Sequence, residues 1–454
     1  MAARLIESLA TTEPLADLFS DQSVLQAMLD FESALARAEA RVGVIPRSAA
    51  NAIRKAAKAE TFDIANLAVA TLRAGTPGIP LAKALTDKVR TTDADAAGYV
   101  HWGATSQDVA DTALVLLLKR AEPILSGDLV RLRRALKKLS QEHKQTVMLG
   151  RTLVQPAPPI TFGLKAAGWA ASVQRSKENL DSAFSPVLVL QLGGASGTLA
   201  SLGKKGVDVA RVLAGELKLG FPEAPWHTQR EALATLMCAC GVLTGALGKI
   251  ARDISLLMQA EIAEVAEPGG NGRGGSSTMP HKRNPIACTL TLAAAQRVPG
   301  LVASFLSGMV QEHERGAGGW QAEWPTVGSI IQATGLAVAS MAEVAEGLTV
   351  NASRMRSNIE ATHGAIFAER AMMLLGAKLG RDVAHKILQD ALKKSTKQKR
   401  HLSEVLAKIP EIANHLDRTA LRRLESPEQY LGSAEVFRKA LLSPKPKTIK
   451  KKEQ

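Results

Sequence analysis

The stretch that decides the fold is residues 228–267, TQREALATLMCACGVLTGALGKIARDISLLMQAEIAEVAE, which contains no proline. Its apolar residues recur every three or four positions, at Leu233, Leu236, Cys240, Leu243, Leu247, Ile250, Ile254 and Leu257. This spacing places them on one face of an α-helix, and a helix over the whole stretch would extend roughly 60 Å. A helix of that length needs partners of similar length, so the stretch predicts a bundle of long helices.

Prolines and glycines divide the helical spacing on either side of this stretch. Further helices are predicted at residues 21–42, 286–315 and 326–350. Pro299 is expected to kink the second of these, and Pro123 with Gly127 to break the helix that follows Asp108. Ala, Leu, Glu, Lys and Arg dominate and strand-like alternation is nearly absent, so we expect an all-α fold. We expect the 454 residues to divide into three helical domains, at residues 1–104, 105–350 and 351–454.

Composition and charge narrow the class of protein. The three cysteines, Cys238, Cys240 and Cys288, form no CxxC pair, which fits a reduced, cytoplasmic protein with buried thiols. The longest dense apolar run, residues 113–118, is far shorter than a membrane span, and the N-terminal stretch carries acids that no signal peptide would have. The formal net charge of +14 fits nucleic acid or an acidic small molecule as partner. Without a nucleic-acid module, a solvated basic surface is the favoured interpretation.

A glycine-rich loop, GGNGRGGSSTMPHKRNP, lies at residues 269–285 between two long helical segments. Its glycines leave the backbone free, and its hydroxyl, cationic and amide side chains are more than a linker would carry. Residues 270–275 formally match GxGxxG, but a dinucleotide fingerprint requires a preceding strand in a βαβ unit, and a long helix precedes this loop. We therefore expect residues 267–285 to be a mobile active-site loop.

Residues 275–285, GSSTMPHKRNP, closely resemble the signature of the fumarase, aspartase and adenylosuccinate lyase superfamily. Further blocks resemble the superfamily in the same order: HWGATSQD at 101–108, GRTLVQPAPPITFG at 150–163 and LGGASGTLAS at 192–201. The resemblance implies an all-α homotetramer with a central bundle of long helices and active sites assembled from three subunits. It also implies proton abstraction beside a carboxylate, with loss of a group from the neighbouring carbon.

The resemblance assigns roles to particular residues of this chain. Ser276 would move the proton at carbon, its alkoxide stabilised by backbone N–H groups and cations, while Lys282 and Asn284 would bind a substrate carboxylate and its developing charge. The other substrate-binding candidates are His101, Thr105, Ser106, Arg151, Thr152, Gln155, Ser277, Met279 and Arg315. No metal or other cofactor is expected, because the substrate's own carboxylate takes up the negative charge.

One position departs from the superfamily pattern. Members usually carry a histidine after the threonine of the GRT block, where it serves the leaving group as general acid, but this chain carries Leu153. An amine or hydroxide leaves poorly without a proton, whereas a carboxylate, with a pKa of about 4, needs no such help. Leu153 therefore favours the branch of the superfamily that closes a lactone on a tricarboxylate diene, in aromatic-acid breakdown by the β-ketoadipate pathway. PWHTQRE at 225–231 and EHERGAGGWQAEW at 312–324 resemble the same branch.

Three other interpretations remain open. Adenylosuccinate lyases share much of the glycine-rich signature, although Leu153 speaks against expulsion of an amine. A non-catalytic structural relative, of the kind that the superfamily supplies to the lens, would not need Ser276, Lys282 and Asn284. A basic RNA-associated protein is suggested by the net charge alone, and strongly salt-dependent retention on nucleic acid without turnover would favour it.

Overall fold

The computed structural model describes residues 5–270, 274–275, 278–279, 281–413, 415 and 418–443. The helices are α1 Glu13–Leu18, α2 Asp21–Val42, α3 Arg47–Ala56, α4 Ile64–Ala74, α5 Gly78–Arg90, α6 Ser106–Glu142, α7 Phe162–Phe184, α8 Gly206–Leu217, α9 Glu231–Leu257, α10 Ile286–Ser307, α11 Gly319–Gly347, α12 Ala352–Glu360, α13 Ala368–Leu379, α14 Arg381–Gln398, α15 Leu402–Leu406, α16 Pro410–Ala413, α17 Arg418–Arg422 and α18 Ala434–Leu442. The strands are β1 Val147–Thr152, β2 Gln155–Thr161, β3 Val265–Ala266 and β4 Thr349–Val350. β1 pairs with β2 and β3 with β4, both antiparallel, and the rest of the regular structure is helical, so the all-α prediction is confirmed.

The chain folds as two compact units. The first consists of Met1–Val130, Arg175–Lys249 and Thr289–Met341, and the second of Arg131–Gln174, Ile250–Cys288 and Ala342–Gln454. Each unit is built from segments that are distant in sequence, so long-range packing defines it more than local sequence does. The division into three domains at residues 1–104, 105–350 and 351–454 stays a prediction.

In the first unit, α2 is the centre of an apolar core. The Ser20 side chain accepts a hydrogen bond from the Ser23 N–H at its start, and Gly43 ends it in the left-handed region with φ 75°. These caps satisfy backbone groups that the helix leaves unpaired, so the predicted bounds 21–42 are confirmed. The buried face of α2, including Leu25 and Leu29, packs against α3 and α8.

Small residues let the long helices of the first unit approach closely. A methyl group at Gly248 of α9 would lie 2.7 Å from Cβ of Ala295 in α10. A methyl group at Gly335 of α11 would overlap Leu15 of α1 and lie 3.4 Å from Leu125 of α6. Glycine at these positions removes the side chain that would otherwise hold the helix axes apart. The long helices therefore pack directly on one another, as the periodicity predicts.

The longest predicted helix ends earlier than its sequence pattern suggests. α9 stops at Leu257, and the N–H of Glu264 turns back to the carbonyl of Leu257 at 2.9 Å. Ala263 adopts a positive φ of 51°, which brings Val265 into register with Val350. The prediction of one helix through 267 was wrong because this pairing with a segment far along the chain competes with local helix propensity.

The predicted break in the helix after Asp108 was also wrong. α6 runs from Ser106 to Glu142 with Pro123 inside it. Ala121 and Leu125, on either side of the proline, are at most 1 % exposed, so core packing holds both halves in one helix. The loss of one backbone hydrogen bond at proline is smaller than the packing energy of such a helix. The later helices are also shifted, α10 ending at Ser307 and α11 starting at Gly319.

Three described helices, α9, α10 and α11, are long and apolar enough to cross a membrane by length and composition. The sequence shows no long unbroken apolar run in these helices, because small and polar residues interrupt their apolar residues. In α11, 78 % of the most apolar window is buried inside the chain, so helix packing already uses that surface. In α10 the buried share is only 33 %, which leaves much of its apolar surface uncovered by this chain.

The second unit has its own core between the β1–β2 hairpin and the C-terminal helices. Val147 and Leu149 of β1 pack with buried residues of α12 to α15, among them Ile359 and Leu388. The hairpin contains most of the block at residues 150–163 that resembles the superfamily. Its register pairs Thr152 with Gln155, so the tip of the hairpin is a two-residue turn.

A buried ionic network in the first unit ties α6 to α11. The guanidinium of Arg230 is fully buried and donates to both carboxylate oxygens of Asp111, at 2.8 and 3.1 Å, and to Glu323 at 2.5 to 3.1 Å. Trp320 and Gln311 donate to the same carboxylates at 3.0 and 2.8 Å. Burial alone would lower the pKa of Arg230, but the two carboxylates raise it, so the side chain remains charged.

Candidate active site

The carboxylate of Asp108 fixes residues 101–108 at the start of α6. Its Oδ2 accepts the N–H of Thr105 at 3.0 Å, which forms one half of a capping box with Thr105 as the N-cap. Gly78 lies so close to Ser106 that a methyl group there would be 2.7 Å from the Ser106 Cα. Within the described part of the chain the hydroxyls of Thr105 and Ser106 make no hydrogen bond, so both can face a ligand. Neither hydroxyl caps a backbone N–H group at the start of α6 among the described residues.

The same carboxylate also fixes a second loop that is 85 residues away in sequence. Oδ1 of Asp108 accepts the N–H of Gly193 and Oδ2 that of Gly194, each at 2.9 Å. His227 Nε2 lies 2.8 Å from Oδ1, and Asp108 is fully buried. A carboxylate that accepts several backbone N–H groups in a dry interior is a strong anchor. Asp108 thus joins the blocks 101–108 and 192–201 into one structure.

Arg315, in the segment between α10 and α11, contacts this second loop. Its NH2 group donates to the carbonyl of Ala195 at 2.8 Å, and Thr228 Oγ1 donates to the carbonyl of nearby His313 at 3.1 Å. The first unit therefore brings the candidates Thr105, Ser106 and Arg315 to the two loops that Asp108 holds. A contact of Arg315 with substrate stays a prediction.

His101 lies just before Thr105 and the start of α6, and a buried acid holds its side chain. Its Nδ1 lies 2.6 Å from Oε1 of Glu32, a residue of α2 that is 1 % exposed. Burial opposes the imidazolium, but the Coulombic attraction and hydrogen bond of Glu32, with a further contribution from Asp108, raise the pKa of His101. His101 also adopts φ 59°, in the left-handed region that is uncommon for residues other than glycine.

In the second unit, the β1–β2 hairpin carries Arg151, Thr152 and Gln155. Both terminal nitrogens of Arg151 donate to Glu264, at 3.0 and 2.7 Å, and Glu264 is fully buried. This bidentate pair braces the hairpin against the segment that leads into the glycine-rich loop. The structure thus places Arg151 in a positioning contact, and a direct contact with substrate stays a prediction. Thr152 and Gln155 are exposed at the tip.

The tip itself is Leu153–Val154. Both residues have positive φ, 49° and 58°, and they are 95 % and 73 % exposed. A turn with two positive φ angles strongly prefers Asn-Gly, and a β-branched valine is particularly disfavoured there. The turn therefore presents two apolar side chains to solvent in an unfavourable backbone conformation.

The glycine-rich loop of the second unit is closed at its base. The Asn284 N–H donates to the carbonyl of Gly274 at 2.8 Å, and a methyl group at Gly274 would lie 2.7 Å from the Asn284 oxygen. Glu267 caps α10 by accepting the N–H groups of Ala287 and Cys288 at 3.2 and 2.8 Å. Residues 267–285 therefore leave and rejoin the helical core at neighbouring points.

Between these closed ends the loop presents the remaining candidates. Lys282 is exposed, and its N–H donates to the carbonyl of Met279 at 3.0 Å. Met279 is 43 % exposed, and Asn284 Nδ2 lies 3.5 Å from the carbonyl of Gly275. Ser276 and Ser277 lie outside the described residues, so their predicted roles are not tested here.

Sequence reasoning missed the acids that hold these elements in place. They are Glu32, Asp108, Glu264 and Glu267. Two of them left a signal: Thr105 and Asp108 have the T-x-x-D spacing of a capping box, and Glu32 falls on the apolar face of a predicted helix. Glu264 and Glu267 lie in a stretch that the periodicity assigned to helix, so their positions gave no such signal.

Long helices carry the polar loops of the candidate site. Residues 8–300 match the family model described as Lyase, and residues 364–440 match the one described as Adenylosuccinate lyase C-terminus. The chain belongs to this lyase family, the fumarase and aspartase superfamily, as the sequence resemblance implied.

Among its similar proteins are two bacterial enzymes of one activity. The chain is 50 % identical to the 3-carboxy-cis,cis-muconate cycloisomerase of Bradyrhizobium diazoefficiens, over 93 % of this chain and 94 % of the relative. It is 45 % identical to the enzyme of the same name from Pseudomonas aeruginosa, over 96 % and 95 %. The crystal structure of 3-carboxy-cis,cis-muconate lactonizing enzyme from Pseudomonas putida superposes with a TM-score of 0.91 at 44 % identity, covering 97 % of this chain and 98 % of that one.

We predict that Asp108→Asn loosens both loops that this carboxylate holds. The amide keeps the shape but replaces one acceptor with a donor, which opposes the N–H groups of Thr105 and Gly194. Losing about 1.4 kcal/mol of local stability accelerates amide exchange about tenfold. Hydrogen-exchange mass spectrometry should therefore show peptides over residues 101–108 and 190–198 exchanging at least about tenfold faster.

Asp208→Asn is the matched control. Asp208 is an exposed acid of α8 whose partner is Arg211, at 3.2 Å, and neither residue contacts the two loops. Its replacement should leave the exchange of both peptides unchanged. Wild-type exchange rates in the Asp108 variant would show that the loops do not depend on this carboxylate.

Proposed function

We propose that this chain catalyses the cycloisomerisation of 3-carboxy-cis,cis-muconate to its carboxymuconolactone. The observation that carries the proposal is full-length similarity, at 44 to 50 % identity, to several enzymes named for this reaction. The exposed Leu153 at the hairpin tip supports it independently, because the reaction requires no acid to protonate a leaving amine or hydroxide.

The proposed reaction is an intramolecular addition. A carboxylate oxygen of the substrate forms a bond to a carbon of the conjugated diene, and the π electrons of that double bond move to the neighbouring carbon. The resulting carbanion is delocalised into its own carboxylate as an enolate-like dianion. That carbon then takes a proton, so the product is an isomer of the substrate and no group is lost.

Different side chains of the chain are proposed to serve different parts of this reaction. Ser276 is proposed to carry the proton at carbon, and Lys282 with Asn284 to hold the carboxylate on which charge develops. The hydroxyls of Thr105 and Ser106 are suited to donate hydrogen bonds to a second carboxylate. Gln155 and Arg315 are proposed to bind the remaining carboxylate oxygens. Met279, Thr152 and Ser277 are proposed to line the site.

A second candidate reaction is elimination from adenylosuccinate. It is motivated by the match of residues 364–440 to the model described as Adenylosuccinate lyase C-terminus. This reaction expels an amine, which needs a proton from the enzyme. Leu153 occupies the position where the superfamily usually supplies that proton. The lactonisation is therefore the better supported proposal.

The experiment that tests the proposal is a parallel assay of both substrates. We expect purified enzyme to remove the ultraviolet absorbance of 3-carboxy-cis,cis-muconate and to leave adenylosuccinate unchanged. Ser276→Ala should lose nearly all of this activity, which controls for contaminating enzymes. Turnover of adenylosuccinate alone would support the second candidate, and turnover of neither substrate would exclude both.

We predict that Leu153→His does not accelerate lactonisation. A carboxylate nucleophile needs no general acid at this position, and the substitution replaces an apolar surface by a polar one. The measurement is kcat/KM for 3-carboxy-cis,cis-muconate, with Val154→His as the matched control at the neighbouring turn position. A gain of about tenfold or more, which is about 1.4 kcal/mol of transition-state stabilisation, would contradict the leaving-group argument.

We also propose that the active form is a homotetramer in which copies of the chain cover the exposed side of α10. Exposed positions recur along one face of this helix, at Ile286, Ala293, Gly300, Ala303 and Ser307. Ile286 adds an exposed apolar side chain, and the four small residues permit close helix approach. The superfamily to which the chain belongs generally forms tetramers. Light scattering in solution should give four times the chain mass of 48.1 kDa. A monomer at micromolar concentration would contradict the proposal.

A further inference from the structure

Glu32 is a buried acid in the apolar core of the first unit, where a carboxylate is unfavourable unless it has a partner. It lies on the buried face of α2 among apolar residues such as Phe31 and Leu35, and it is 1 % exposed. Its Oε1 contacts Nδ1 of His101 at 2.6 Å, while Oε2 has no hydrogen-bond partner in the described part of the chain. Burial of a carboxylate is unfavourable unless it is paired, so the contact with His101 is what stabilises it there.

The contact also fixes the direction of the imidazole. Because Nδ1 of His101 is turned to Glu32, Nε2 is on the side of the ring facing away from that acid. The His101 side chain is 19 % exposed, so a ligand can reach it.

The charges around His101 come from two helices. Glu32 faces it from α2 and Asp108 acts on it from α6. A second buried acid of α2 is Glu39, and burial together with the charge of Glu32 raises the pKa of Glu39 to about 9. Glu39 is therefore neutral at pH 7, and Glu32 is the acid of α2 that contacts His101.

We infer that Glu32 is a positioning residue that keeps His101 cationic and directs its Nε2–H toward a carboxylate of the anionic substrate. The inference rests on the proposed function for the identity of that substrate. A cationic imidazole donates a charge-assisted hydrogen bond, which is about twice as strong as a neutral one. Glu32 thus acts on substrate binding through His101 without touching the substrate.

Glu32→Gln tests the inference through the pH profile. Glutamine keeps the size and the acceptor oxygen but removes the charge, so His101 should lose its proton at lower pH. The cation is present below the pKa of His101 and is lost as pH rises through it. We therefore expect the alkaline fall of kcat/KM to move down by about one pH unit, with a rise in KM and little change in kcat.

Glu39→Gln is the matched control. Glu39 lies on the same helix and is equally buried, but it is already neutral at pH 7, so glutamine reproduces its ordinary state. This variant should keep the wild-type profile up to pH 8. A Glu32→Gln enzyme with the wild-type profile, or an equal shift in both variants, would overturn the inference.

A titration without substrate separates this inference from the proposed function. Nuclear magnetic resonance of carbon-13-labelled histidine in the wild-type protein, with the His101 signal assigned from His101→Gln, gives the pKa of His101 directly. A value above the ordinary 6.5 supports the inference even if muconate is not the substrate. A value at or below 6.5 overturns it, and this holds even if the Glu32 variant does not fold.

Discussion

Asp108 accepts hydrogen bonds from several backbone N–H groups. The candidate site residues of the first unit depend on these bonds for their positions. One buried carboxylate sets the start of α6, the position of Thr105 and Ser106, and the course of the loop at Gly193. These donors belong to the backbone, so they do not depend on side-chain identity. They do require close approach: a methyl group at Gly193 would lie 2.7 Å from the His227 ring. The N–H of residue 193 can therefore reach Asp108 only because this residue is glycine.

The second unit uses the same physical device. Glu264 holds Arg151 of the hairpin, and Glu267 caps the helix that follows the glycine-rich loop. Both acids are buried, where their hydrogen bonds are stronger than in water. The chain is basic overall, yet the described site elements are held in position by acids. Lys282, a cation of the glycine-rich loop, is exposed.

The sequence was most informative where structure is determined locally. The bounds of α2 follow from a serine cap and a glycine at its ends, and both are visible in the sequence. The continuity of α6 through Pro123 and the end of α9 at Leu257 depend on packing and strand pairing with distant segments, which periodicity does not report. One hydrogen bond of the Asp108 anchor, from the Thr105 N–H, is short-range, but the bonds from Gly193 and Gly194 span 85 residues or more. Ser276 and Lys282 were identified by motif resemblance, since a serine or lysine alone carries no such information.

The turn at Leu153–Val154 has a consequence for how this protein can evolve. Asparagine and glycine would adopt the same backbone without strain, whereas leucine and valine each hold it at a cost of about 1–2 kcal/mol. Selection for stability alone would remove both residues early, because such turn replacements are among the simplest stabilising changes. The hairpin tip is therefore a position where a thermostabilised variant of this chain is expected to differ from it.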